Sequence, residues 1–348
     1  MIRSKLEING RPIGKGHPTY IIAEIGSNHN GKLEIAKQIS DLMVEAGADA
    51  VKFQSFTVEN WLSKDFTVPS MKGDVDDWEK YLQNYELSYK MYAEIVSHCE
   101  KQNITCFSTP SHKIDIDKLN EMNVPAFKFG SVQITDLPTI EYAAKLMKPI
   151  ILSAGASDMS EVLKAVEVVL DTGNNQLALL HCTTKYPCDE YELVNLNVLN
   201  SFKAMFDFPI GYSDHTPDPI IIPVAAVSMG AKIIEKHVTL DRSMEGPDHS
   251  VALEPEEFSR MVKSIKLTEK AFGSSYRRIL PDEKEFVEVG RRSLVTTRKI
   301  KKGEVISDQD ITIKRPGTGI APCFIHIVVG RVARKDIDAD HVLSWKMV

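Results

Sequence analysis

The sequence is poor in the features that would place it outside the ordinary globular class. Its five cysteines (Cys99, Cys106, Cys182, Cys188 and Cys323) are an odd number with no CxxC pair, which excludes a disulfide framework and a zinc ribbon. No long apolar run is present. The longest, Ile220 to Met229, is too short for a bilayer, and MIRSKLEING lacks the apolar stretch and cleavage site of a secretory signal. A cytoplasmic protein with reduced thiols is expected. Basic residues are not in excess: 42 Lys and Arg stand against 48 Asp and Glu, a net charge of -6, which argues against a nucleic-acid binder. Solenoid repeats and low-complexity tracts are missing too. What remains is a chain 43% hydrophobic and 26% charged, the balance of a protein that buries a large core.

Within that chain, short apolar runs (YIIAEIG, DAVKFQ, ITCFST, AFKFG, PIILSA, LALLHC, PIGYSD, KIIEKHV) recur about every 20 to 40 residues, the rhythm of βα units. A helical apolar period follows each run, from Leu33–Ala46 to Pro255–Phe272. Eight such units close a (β/α)8 TIM barrel, which typically takes about 250 residues, so a chain of 348 predicts one barrel and a small appendage. The barrel is assigned to residues 1–272, a polar linker to 273–290 and a small β-rich domain to 291–348. That tail holds 12 Lys and Arg against 6 Asp and Glu, which suggests docking on an acidic body or help in holding an anionic substrate. The segment Phe56–Leu87 is long for a βα loop and reads as a lid or extra cover.

A series of polar residues sits where the apolar runs end. In a barrel all strand C-termini open on one face, so residues scattered along the chain should meet there. His215 and His237 fall on adjacent strand ends, and a pair of neutral imidazoles with open positions suits Mn, Fe, Co or Zn. Lys52 and Lys128 interrupt apolar strands near Thr109, Ser131, Ser153 and Ser213. This reads either as a cradle for phosphate and carboxylate or as Schiff-base chemistry with a carbonyl substrate. Glu24, followed by the turn Ser27 to Gly31, can act as a base or orient a water. The segment from His181 to Pro187, with Tyr186, adds polar groups after the sixth strand. Asp248 and His249 lie within loop reach of His237. A further reading is an inert barrel carrying a carbohydrate- or ice-docking tail, which the paired histidines and lysines argue against.

The runs IAEIGSNHNG, GADAVKFQ, HCTTKYP, GYSDHT, EKHVTLDRSMEGPDH and KRPGTGI, in this order from about Tyr20 to the C-terminus, resemble the sialic acid synthases, including the legionaminate and pseudaminate synthases. The resemblance implies condensation of phosphoenolpyruvate with an N-acetylated hexosamine, N-acetylmannosamine foremost, to give a nonulosonic acid and phosphate. It implies an antifreeze-like (SAF) tail over residues 291–348 and a domain-swapped homodimer, with no nucleic-acid or membrane partner. It makes His215 and His237 the ligands of a divalent metal, Mn or Mg, and Glu24 the catalytic glutamate. Lys52, Thr109, Lys128, Ser131, Ser153, Thr184 and Ser213 fall where the family holds phosphoenolpyruvate. Gln54, Tyr186 and Asp248 match acceptor positions, and Arg315 matches an arginine reaching from the other subunit. The sequence departs from the family at Gln133, where an acidic residue is usual, and at Thr184, where some members have asparagine. Both departures bear on which sugar is taken.

Overall fold

In a computed structural model, residues 6–66 and 78–348 are described and fall into two compact units, residues 1–273 and 274–348. The first begins with an antiparallel hairpin, β1 (Leu6–Ile8) and β2 (Arg11–Ile13), which periodicity alone did not single out. Its turn is Asn9-Gly10, both at positive φ (49° and 76°), the pairing that two-residue hairpins favour.

Eight parallel strands then close a barrel: β3 (Tyr20–Gly26), β4 (Ala50–Ser55), β5 (Thr105–Pro110), β6 (Phe127–Phe129), β7 (Ile150–Ser153), β8 (Leu177–Cys182), β9 (Ile210–Asp214) and β10 (Ile233–His237), with β10 returning to pair with β3. Helices cover it in order: α1 (Leu33–Ala46), the short α2 (Val58–Trp61) and α3 (Trp78–Gln83), α4 (Tyr89–Lys101), α5 (Lys113–Glu121), α6 (Leu137–Ala144), α7 (Met159–Asp171), α8 (Val198–Met205), α9 (Ile221–Ser228) and α10 (Pro255–Phe272). The longer helices turn one apolar stripe to the strands. On α7 the stripe is Val162, Ala165, Val166 and Val169, and on α10 it is Phe258, Met261, Val262 and Ile265. Helix starts are set by side chains: Asp158 accepts from the Ser160 and Glu161 amides, Asp136 from Thr139, and Ser88 from Met91. Gly47, at φ 88°, closes α1 in the left-handed conformation that a side chain would strain.

The hairpin shuts the end of the barrel where the strands begin. Leu6, Ile8 and Ile13 join the barrel's apolar cluster, and Arg11 pairs with Asp49 beside the start of β4. The long segment expected as cover holds α2 and α3, and its stretch 67–77 lies outside the described residues.

The second unit contains α11 (Lys284–Gly290), β11 (Ser293–Thr296), β12 (Ile311–Lys314) and α12 (Ile325–Val328). It differs from the sequence expectation in two ways. Residues 284–290, read as linker, are helical, and the domain read as β-rich also holds the short helix α12, which takes up most of the apolar run HIVVG. Only one two-stranded ladder forms among the described residues, extended by isolated bridges such as Ile300 to Ile337 and Val305 to Val332. The core is nevertheless continuous, with Leu294, Ile300, Ile306, Ile320, Val328 and Leu343 fully or nearly fully buried.

Candidate active site

The C-terminal ends of the barrel strands surround a cavity of about 310 Å³, at the low end of the range for small-molecule pockets. Most of the barrel residues singled out from the sequence line it: Glu24, Lys52, Gln54, Thr109, Lys128, Ser131, Gln133, Ser153, Thr184, Tyr186, Ser213, His215, His237 and Asp248. His181 and His249 do not; they are held by protein partners, His181 Nε2 at 2.8 Å from the Val194 carbonyl and His249 between Thr239 Oγ1 at 2.7 Å and Asn30 Oδ1 at 3.1 Å. Arg315 belongs to the second unit, exposed directly after β12. Strand register explains the convergence. Glu24 of β3 pairs with Lys52 of β4, Gln54 pairs with Thr109 of β5, and Ser213 of β9 pairs with Glu235 of β10. A bulge between Glu24 and Gly26 ends β3, and at Gly26 an added Cβ would meet Asp248 Oδ2 at 3.2 Å and Glu24 Oε1 at 3.2 Å.

The floor consists of two buried ion pairs. Lys52 Nζ lies 2.7 Å from Glu24 Oε2 and donates to Thr109 Oγ1 at 2.9 Å, while Gln54 Nε2 donates to Glu24 Oε1 at 3.1 Å. Lys128 Nζ donates to Ser153 Oγ at 2.7 Å and to the Phe129 carbonyl at 3.2 Å, and lies 3.3 Å from Glu235 Oε1. Ser213 Oγ donates to that same carboxylate oxygen at 2.9 Å. The two acids are thereby driven apart. Burial pushes Glu24 up to about 7 despite the pull of Lys52. Burial also lifts Glu235, but Lys128, Lys52 and the Ser213 hydroxyl more than offset it and hold that group at about 2. Burial likewise lowers Lys128. At Lys52 the lowering by burial is reversed by Glu24 and Glu235, and its ammonium ends above the usual lysine value.

Beside the floor, Ser131 Oγ accepts from the Gly155 amide at 3.1 Å. A Cβ at Gly155 would fall 2.6 Å from Ser131 Oγ and closer still to Thr184 Oγ1, so the glycine leaves room for two hydroxyls to converge. Gln133, by contrast, is engaged at both ends. Its Nε2 donates to the Pro110 carbonyl at 2.7 Å and its Oε1 accepts from the Gly130 amide at 2.8 Å.

The imidazoles occupy the opposite wall. His215 and His237 lie 5.4 Å apart by ring centroid, and Tyr186 sits over His215 at 4.1 Å. His215 Nδ1 donates to the Thr183 carbonyl at 2.8 Å, which leaves the Nε2 lone pair free to bind. Burial lowers His237 and keeps it neutral at pH 7, and its buried Nδ1 has no hydrogen-bond partner. Among the described residues no group of three or more His, Cys, Asp and Glu is arranged for a metal. An imidazole pair beside a polar cavity still fits a divalent ion that completes its shell with water and substrate oxygen. On the outer side of β9 and β10, Lys236 Nζ lies 2.7 Å from Asp214 Oδ2, a fully buried pair that pins the segments carrying both histidines.

Sequence reasoning missed Glu235. The signal was there: residues two apart in a strand share a face, so Glu235 follows His237 into the pocket. It also missed the apolar wall formed by Phe56, Trp61, Leu82 and Tyr85.

The chain is similar to known proteins over nearly its whole length. An uncharacterized protein of Methanocaldococcus jannaschii is 43% identical over 341 residues, covering 98% of both chains. An N,N'-diacetyllegionaminic acid synthase of Campylobacter jejuni is 40% identical over 331 residues, covering 93% of this chain and 98% of that protein. The crystal structure of a spore coat polysaccharide biosynthesis protein of Bacillus subtilis superposes with a TM-score of 0.68 at 36% identity, covering 99% of both chains. A SAF domain model matches residues 291–348. With the NeuB family model matching residues 40–277, the chain belongs to the NeuB family.

Proposed function

We propose that this protein condenses phosphoenolpyruvate with the open-chain aldehyde of an N-acetylated amino sugar and water, giving a nonulosonic acid and inorganic phosphate. One observation carries the reading: two buried lysines, a set of converging hydroxyls and a histidine pair line one cavity in a NeuB-family barrel. Relatives bear the names N,N'-diacetyllegionaminic acid synthase, pseudaminic acid synthase and N-acetylneuraminate-9-phosphate synthase, which supports the class of reaction. N-acetylmannosamine, its 6-phosphate and the 2,4-diacetamido trideoxyhexoses are the acceptors to be compared.

Lys52, Lys128, Thr109, Ser131, Ser153, Thr184 and Ser213 hold the phosphate and carboxylate of phosphoenolpyruvate, so the enol carbon is presented to the sugar rather than to bulk water. His215 and His237 would hold a divalent ion, Mn or Mg, whose chemistry when bound is to polarise the aldehyde oxygen. Gln54, Tyr186 and Asp248 orient the sugar, and Arg315 reaches it from a second copy in a swapped dimer. The new carbon–carbon bond leaves a cationic C2. Water adds there and gives up a proton, the aldehyde oxygen gains one, and the tetrahedral carbon expels phosphate with cleavage of the C–O bond. Glu24, held near neutral pKa, takes the proton from that water. Gln133, with its amide engaged by Pro110 and Gly130, shapes the loop and has no proton to exchange.

Phosphoenolpyruvate labelled with ¹⁸O at the bridging oxygen tests this route. The label should leave with phosphate, and label retained in the sugar product would rule the route out. Borohydride trapping with pyruvate should give no adduct at Lys52 or Lys128, whereas an adduct would indicate Schiff-base aldolase chemistry.

A further inference from the structure

The cavity has an apolar side that the condensation does not require. Phe56, Trp61, Leu82 and Tyr85 line it, contributed by the segment after β4. They form a packed wall: Phe56, Val58 and Tyr85 make a separate apolar cluster with Leu62, Tyr81 and Leu82 against it, and the rings of Phe56 and Trp61 lie 4.7 Å apart. Tyr85 directs its hydroxyl to Tyr81 at 3.3 Å, so it does not depend on a ligand for a partner. Trp61 is 42% exposed and faces open cavity.

The charges point the same way. Among the described lining residues, the lysines are Lys52 and Lys128, against the carboxylates Glu24, Glu235 and Asp248. Both ammoniums are already ion-paired, and phosphoenolpyruvate brings a phosphate and a carboxylate to them. A second phosphate, on the acceptor, would find neither of these cations free, and it would face carbon on one side and Asp248 on another. A hydroxymethyl group against the same wall would lose its hydrogen bonds to water without replacement.

We infer that the acceptor is unphosphorylated and 6-deoxygenated, an N-acetylated amino sugar that lays its C6 methyl and acetamido methyl groups on the wall of Phe56, Trp61, Leu82 and Tyr85. This rests on the condensation proposed above and narrows it to one class of sugar. Apolar pockets discriminate by roughly 10-fold or more for each methyl group gained or lost.

The test is phosphate release from phosphoenolpyruvate by the full chain with Mn and three acceptors: a 2,4-diacetamido-2,4,6-trideoxyhexose, N-acetylmannosamine and N-acetylmannosamine 6-phosphate. The expected order of kcat/KM follows that list, with about 10-fold or more between the first two. Trp61→Ala should lower kcat/KM for the trideoxy sugar and narrow its lead over N-acetylmannosamine, with a larger effect on the KM of the sugar than on that of phosphoenolpyruvate. Leu82→Arg should improve use of the 6-phosphate relative to the other two. If the 6-phosphate or N-acetylmannosamine is the best acceptor, or if Trp61→Ala slows all three equally, the inference is wrong while the condensation stands. Release with none of the three would remove the condensation and the inference with it.

Discussion

Replacing Lys128 separates what holds the barrel floor together from what binds substrate. Its ammonium is 1% exposed and serves Ser153, the Phe129 carbonyl and Glu235. Lys128→Met keeps the unbranched shape and most of the length of the side chain and leaves the Glu235 carboxylate buried, with Ser213 as its closest remaining donor. Breaking one side of a buried pair costs about 3–5 kcal/mol, because the other charge is left uncompensated. Removing both charges is close to neutral, so adding Glu235→Gln should recover about 2 kcal/mol or more. Activity should not recover if Lys128 has the proposed role, since the cation assigned to phosphate is still missing. Urea denaturation followed by fluorescence reads the first quantity, and phosphate release reads the second. A single variant within about 0.5 kcal/mol of the wild type, or a double variant equal to the sum of the singles, would refute the ion-pair argument. Recovery of activity in the double variant would refute the role given to Lys128.

Three further outcomes are expected. Glu24 has its folded pKa raised from 4.5 to about 7 by burial, so its contribution to stability is full below about 4.5 and is lost as pH rises through about 7. The wild type should therefore lose stability relative to Glu24→Gln between about pH 5 and 8, by up to about 3 kcal/mol; a difference independent of pH would contradict the shift. Chelation should abolish phosphate release and Mn should restore it in the wild type. His215→Ala and His237→Ala should each weaken Mn binding measured by calorimetry, and an unchanged Mn affinity would exclude these imidazoles as ligands. Arg315→Ala should raise the KM of the acceptor far more than that of phosphoenolpyruvate, and equal effects would undo the assignment of the tail to the sugar's side.

The barrel was legible because its strands are apolar runs buried on both faces: β3 is buried at every position and β8 likewise. The polar residues that interrupt those runs marked the mouth for the same reason, since Lys52 inside AVKFQ has no other low-energy place to go. Glu235 was harder to see. It precedes Lys236, and the two form opposite faces of one strand, one charge paired inside the barrel and the other paired outside. The alternation becomes readable only from His237: with that imidazole at the mouth, the period of two puts Glu235 on its face and Lys236 on the other. At Gln133, which lines the cavity, the hydrogen bonds to Pro110 and Gly130 are tertiary and leave no trace in the order of residues. Within the tail, whose bounds the SAF domain model matches, the individual elements were harder to read for a related reason. Its core residues are spaced for isolated bridges and turns, as at Ile300 and Val305, and a short apolar run such as HIVVG does not distinguish a strand from one turn of helix.

The β1–β2 hairpin has a practical consequence. Since it packs beside the starts of the barrel strands, the hairpin lies at the end of the barrel opposite the mouth. A surface-attachment handle introduced at its exposed Asn9-Gly10 turn would therefore hold the barrel with its mouth turned away from the support, which suits it to immobilised synthesis. A handle placed in the segment after β4 would instead obstruct the entrance.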